Sequence, residues 1–275
     1  MDPAPRFPVG YQLYSVRDAM AADALATVRA LLDVGYVHFE AYGYDAAAGT
    51  LYGLAPKRLK RELDALGTAI TSAHFGFADY LHASADELRG YTDACLSCAE
   101  ALGMRYLVWP VIREADRTPE GFRRLARQLN VVGEHLRGSG RALAFHNNGG
   151  EFVDLGQGAT GYDIVLAETD PALVQLELDM YWLTHDRAGL TPAELLRRQP
   201  GRFRLWHVKD MHPETRDYTE LGAGAIDYRR LLPDPEASGL ELLYLEQGGN
   251  FAEDEMASAA ANARHWRRRL ARHVR

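Results

Sequence analysis

Eight times along this chain a short apolar run is followed by a stretch with helical periodicity, and that alternation leaves few folds open. The runs are VGYQLYS (from Val9), YVHFEAYG, TAITSAHFG, MRYLVWP, RALAFHN, LVQLELDMYW, RFRLWHVKDM and LELLYLEQ. Between them, DALATVRALLDVG places Leu25, Val28, Leu31 and Leu32 on one face and closes at Gly35. APKRLKRELDALG opens on Pro56, Thr118 caps a helix reaching about Arg137, and Thr191 opens TPAELLRRQPG. Gly161 to Thr169 reads as a short helix, YRRLLPDPEASG as a helix broken by prolines, and the stretch from Phe251 onward as the last one. Strands separated by helices pair in parallel, and eight such units predict a closed (β/α)8 TIM barrel with residues 1–275 as one domain. An open doubly wound sheet is the competing arrangement, but no G-x-G-x-x-G follows the first run.

Composition excludes several classes of function. With 47% hydrophobic and 25% charged residues, the chain has the balance of a globular enzyme. A net charge of -7 argues against a nucleic-acid partner. The basic stretch from Arg264 to Arg275 reads as a solvated final helix. Cys95 and Cys98 have C-x-x-C spacing but lie inside a helical pattern, so they read as small packing residues rather than a redox pair. Two cysteines suit a reducing compartment. No secretory signal pattern and no membrane-length apolar run occurs, so the expectation is a cytoplasmic enzyme with no membrane contact.

In such barrels the active site forms where strands end at the C-terminal face. Asp179, His207 and Glu246 end their runs, and Glu151 follows its run in the loop HNNGGE. Each lies roughly one strand–helix unit beyond the last, so they belong to strands five to eight. Three carboxylates and an imidazole suit a hard or borderline divalent cation. Mn2+ is the favoured ion among Mn, Mg, Co, Fe and Zn. Other strand ends carry Gln12, Tyr14, Glu40, His74, Trp109, His146, Asn148, Trp182 and Lys209. His38, His82, His135, His265 and His273 receive no role, and His185 and His212 read as solvated loop residues. The segment ELGAGAID (from Glu220) either approaches a phosphate or simply turns.

At these residues the chain resembles the sugar phosphate isomerase/epimerase superfamily, the xylose isomerase-like barrels. The motifs that carry the resemblance are GYQLYSVRD, SAHFGF, FHNNGGEF, LELDMYW, HVKDM and YLEQ, spread over nearly the whole chain. It implies a divalent ion held by Glu151, Asp179, His207 and Glu246. The chain departs from the pattern in places. Asn148 stands where relatives carry the second histidine of H-N-H, followed by Gly149 and Gly150. Phe145 and His146 occupy the stretch where ketose epimerases place their first metal glutamate, so either Glu151 or His146 serves as the strand-five ligand. Trp182 stands where those epimerases bind substrate with a histidine.

The chemistry implied is isomerisation or epimerisation of a small carbohydrate by proton abstraction next to a carbonyl, through a metal-stabilised enediolate. Glu246 and Glu151 are expected to move protons as well as bind metal. His74, His146, Lys209 and Gln12 are expected to contact substrate polar groups, with Trp109 and Trp182 stacking on its apolar face. A dehydratase or lyase on a keto-inositol or 3-keto sugar shares the first step and is the alternative. A nuclease of the AP-endonuclease kind would need more histidines and a basic face, and a metal-free binding barrel would not need this donor set. Self-association is left open.

Overall fold

The computed structural model describes residues 7–156, 158–186 and 190–274. Its strands are β1 (Val9–Gln12), β2 (Phe39–Tyr42), β3 (Ile70–His74), β4 (Tyr106–Trp109), β5 (Ala142–His146), β6 (Val174–Asp179), β7 (Phe203–Val208), β8 (Asp210–Met211), β9 (Tyr218–Thr219) and β10 (Leu242–Leu245). Eight of them close into a parallel barrel in the order β1-β10-β7-β6-β5-β4-β3-β2, as the alternation predicts. The pair β8 and β9 is a separate antiparallel ribbon. The described residues divide into two compact units, one of 7–40, 179–185 and 190–274, the other of 41–156, 158–178 and 186. Two of the boundaries fall inside strands, at residues 40/41 in β2 and 178/179 in β6.

The helices are α1 (Arg17–Asp33), α2 (Pro56–Ala65), α3 (Ala85–Leu102), α4 (Pro119–His135), α5 (Gly161–Glu168), α6 (Met180–His185), α7 (Pro192–Arg198), α8 (Tyr228–Leu231), α9 (Pro235–Ser238) and α10 (Glu255–His265). Their starts are written locally. Ser84, Thr160 and Thr191 each form a capping box, with Glu87, Asp163 and Glu194 returning the bond. Such a cap is worth about 1 kcal/mol against alanine. The predicted start of the first helix at Asp23 coincides with a break inside α1, where the Asp23 carboxylate accepts the N–H groups of Leu25 and Ala26. Along α4, Phe122, Leu125, Ala126, Leu129 and Val132 are buried at three- and four-residue steps.

Two runs end earlier than the apolar pattern implies. After Gln12 the backbone turns into a 3-10 helix over Leu13–Val16, and after Asp179 the residues Met180 to Trp182 already belong to α6. In the latter, Asp179 Oδ1 accepts the Trp182 N–H at 3.0 Å, so the acid that ends the strand also starts the helix. Cys95 and Cys98 are both free and buried in α3, where burial pushes the Cys98 thiol up to about 12 and Cys95 higher still. They are packing residues, as expected. Gly10 is required for a steric reason. A Cβ there would lie 2.5 Å from the His38 ring and 2.7 Å from that of Tyr244.

Candidate metal centre

In the first unit, register brings the polar strand ends together. Gln12 on β1 pairs directly with Glu40 on β2, and its amide donates to Glu40 Oε2 at 2.8 Å. The same oxygen lies 2.6 Å from His207 Nε2. On the other side of that imidazole, Nδ1 lies 2.7 Å from Glu246 Oε2. Lys209 Nζ then joins Glu246 to Asp179, 2.9 Å from Glu246 Oε1 and 2.7 Å from Asp179 Oδ2. Gln12, Glu40, Asp179, His207, Lys209 and Glu246 are all buried. Burial pushes the Lys209 ammonium toward losing its proton, but the Asp179 and Glu246 carboxylates outweigh it and hold its pKa above that of an ordinary lysine.

Asp179, His207 and Glu246 offer ligand atoms that lie within 4.8 Å of one another. That donor set fits a divalent cation. A neutral imidazole nitrogen facing a carboxylate oxygen at 2.7 Å would set two lone pairs against each other. The arrangement is favourable only with a proton or a cation between or beside them. Glu40 favours the Nε2–H tautomer, which turns the Nδ1 lone pair toward Glu246.

The second unit carries its own group. His146 ends β5 and pairs in register with Glu177 on β6. His74 Nε2 lies 3.0 Å from Glu177 Oε2, and the rings of His74 and His146 are 4.9 Å apart. His146 Nδ1 donates to the Pro110 carbonyl at 2.9 Å, which leaves Nε2 as the lone-pair nitrogen. His74, His146 and Glu177 also offer donor atoms within 4.8 Å of one another. Glu151 is buried too, but it belongs to neither group among the described residues. Its Oε2 accepts the Asn148 N–H at 3.2 Å, and burial raises its carboxyl to about 8.

The remaining expected substrate residues divide. Trp182 is half-buried and sits edge-on to Tyr181 and Tyr218. Trp109, by contrast, is fully buried, stacked on Phe77 at 5.3 Å, with its indole N–H given to Val111 O. Its ring packs the core rather than offering a face to a ligand. Gln12 is likewise committed, since its amide oxygen accepts the Tyr14 N–H while its nitrogen holds Glu40. Glu40 is readable in the sequence only as a polar strand end, and Glu177 sits inside its strand run. The signal for Glu177 was in LELD, because positions 177 and 179 point to the same side of a strand.

Comparisons with known proteins agree with this architecture. A family model described as a xylose isomerase-like TIM barrel matches residues 28–267. An inosose dehydratase from Clostridium botulinum is 26% identical over 153 residues, a stretch covering 48% of this chain and 50% of that relative. The match thus spans about half the length of that curated protein. Among solved structures, a sugar phosphate isomerase/epimerase from Parabacteroides distasonis superposes with a TM-score of 0.81 at 21% identity, covering 98% of this chain and 96% of that one. A xylose isomerase-like TIM barrel protein from Mycobacterium smegmatis, in complex with magnesium, superposes with a TM-score of 0.67 at 18% identity over 100% of both chains.

Proposed function

The chain belongs to the xylose isomerase-like TIM barrel family, and on that footing we propose that it is a divalent-metal-dependent isomerase or epimerase of a small sugar or sugar derivative. The observation that carries this reading is the buried trio of Asp179, His207 and Glu246, with Lys209 bridging two of its carboxylates. Asp179, His207 and Glu246 would hold the ion, with Mn2+ the favoured one, and either Glu151 or His146 would complete the set. When bound, a divalent ion supplies Lewis-acid stabilisation of negative charge developing on a substrate oxygen.

The chain's own residues supply the rest. Glu246 is the proposed base that takes the proton next to the carbonyl. Lys209 places a positive charge against that carboxylate and orients it. Glu151, a buried carboxyl, is the proposed second proton-transfer group. His74, His146 and Lys209 offer hydrogen bonds to substrate hydroxyls, and Trp182 offers an apolar edge.

A second reading, dehydration of a keto-inositol or 3-keto sugar, is favoured by the inosose dehydratase likeness and by Trp182 at the position where ketose epimerases use histidine. The two share proton removal and differ in whether water leaves. Turnover of a panel of ketoses, 3-keto sugars and inososes, followed by mass spectrometry, separates them, since isomerisation conserves mass and dehydration does not. Glu246→Gln is expected to abolish turnover in either case while leaving the circular dichroism spectrum and melting transition in place. Full activity in that variant would remove Glu246 from the chemistry.

A further inference from the structure

Outside the metal centre, the first unit has a cleft of about 420 Å3 lined by Asp210, Gly222, Tyr228, Arg229, His265 and Arg269, among others. Three of these side chains carry basic nitrogen. All three line the same cleft, and burial lowers the His265 pKa, with Asp210 opposing the shift and Arg269 and Arg229 adding to it.

The cleft's acids are already occupied. Asp210 is buried, and its carboxylate accepts four backbone N–H groups, from Met211 and Ile226 on Oδ1 and from Gly222 and Gly224 on Oδ2. The glycine-rich loop therefore turns around an internal carboxylate and spends its amides there. Asp227 caps α8 through the Arg229 N–H and lies 3.5 Å from the Arg229 guanidinium. The Arg269 guanidinium, however, makes no hydrogen bond or ion pair among the described residues.

Local backbone geometry presents this arginine. After α10 the helix widens into a π-helix over Trp266–Leu270, a rare form that recurs at functional sites. Trp266 and Leu270 turn inward and are buried, which leaves Arg269 outward on the cleft wall. Gly222, at φ +90°, lets the His265 ring close against the loop, since a Cβ there would lie 2.0 Å from the ring.

We propose that this cleft is a binding site for a small oxyanion, a phosphate or a phosphate monoester, held by Arg269 and Arg229 with His265 as a further donor. Guanidinium groups recognise tetrahedral oxyanions by paired charge-assisted hydrogen bonds, and the cleft's acids are engaged, Asp210 by four backbone N–H groups and Asp227 by the Arg229 guanidinium. Tyr228 connects the cleft to the metal centre, because its hydroxyl accepts the Lys209 N–H at 3.1 Å and donates to the Lys209 carbonyl. The proposal does not depend on the metal reading.

Isothermal titration of the full chain with inorganic phosphate, in metal-free buffer with chelator, tests it. Saturable binding of one phosphate per chain is expected, weakened about tenfold or more in Arg269→Gln and further in Arg229→Gln/Arg269→Gln. Both arginines are exposed, and the single variant stands in if the double variant melts early. A hexose monophosphate and the parent hexose identify the source of the anion. Tighter binding of the ester than of free phosphate points to a phosphorylated metabolite, and equal binding points to a free-anion site. Absence of saturable phosphate binding to the wild type, or equal affinity in the arginine variants, overturns the proposal.

Discussion

Glu40 Oε2 lies 2.6 Å from His207 Nε2, on the far side of the imidazole from Glu246. A carboxylate in that position fixes the ring's tautomer and orientation and raises the basicity of the opposite nitrogen. Gln12 fixes Glu40 in turn, so a chain of three buried side chains runs from β1 to the imidazole.

Glu40→Gln is therefore expected to weaken divalent-metal affinity by about 10- to 100-fold, the usual effect of removing such a partner. Competition against a fluorescent chelator measures it on the folded chain. Unchanged affinity, with the fold intact, would make Glu40 a packing residue only.

Lys209 bridges Asp179 and Glu246 and is 3% exposed. Replacing it by methionine leaves two buried carboxylates without that counter-charge. In chelator, Lys209→Met should lose about 3–5 kcal/mol of stability in urea. Added Mn2+ should return part of that loss. Equal stability of variant and wild type in chelator would show that the pair contributes nothing net.

His38 supplies the pH dependence. Burial lowers its pKa from 6.5 to about 4, against opposing effects from the Leu243 backbone and Glu40. Since the folded value lies below the unfolded one, the neutral ring's contribution is fully present above pH 6.5. It is lost as pH falls through about 4. The window corresponds to about 3 kcal/mol. Urea unfolding from pH 7 to pH 4 should show the wild type losing more stability than His38→Gln by roughly that amount. Parallel pH profiles would refute a buried neutral histidine.

Much of the fold was legible because it is encoded locally. Helix caps at Ser84, Thr118, Thr160 and Thr191 are short-range chemistry, and strand positions followed from the alternation. Strand ends were less legible. Apolar character continues from Asp179 into Met180, Tyr181 and Trp182, whereas the backbone already turns into a helix there, with the Trp182 N–H given to the aspartate.

The candidate site divides along the same line. That Asp179, His207 and Glu246 stand at strand ends was readable from one chain, since a donor ending an apolar run in a barrel has one rim to occupy. Which groups surround them was not. β1 and β4 are buried on every residue, so no alternation marks Trp109 as packed against Phe77 or Gln12 as the partner of Glu40. Those relations depend on register between strands far apart in sequence, Gln12 against Glu40 and His146 against Glu177. The sequence by itself determined the barrel and the donor types at its strand ends, because propensity, capping and alternation act within a few residues. Tertiary structure alone decided that Glu40 stands behind His207 and that Glu177 meets His74, because hydrogen-bond partners are chosen by strand register and burial.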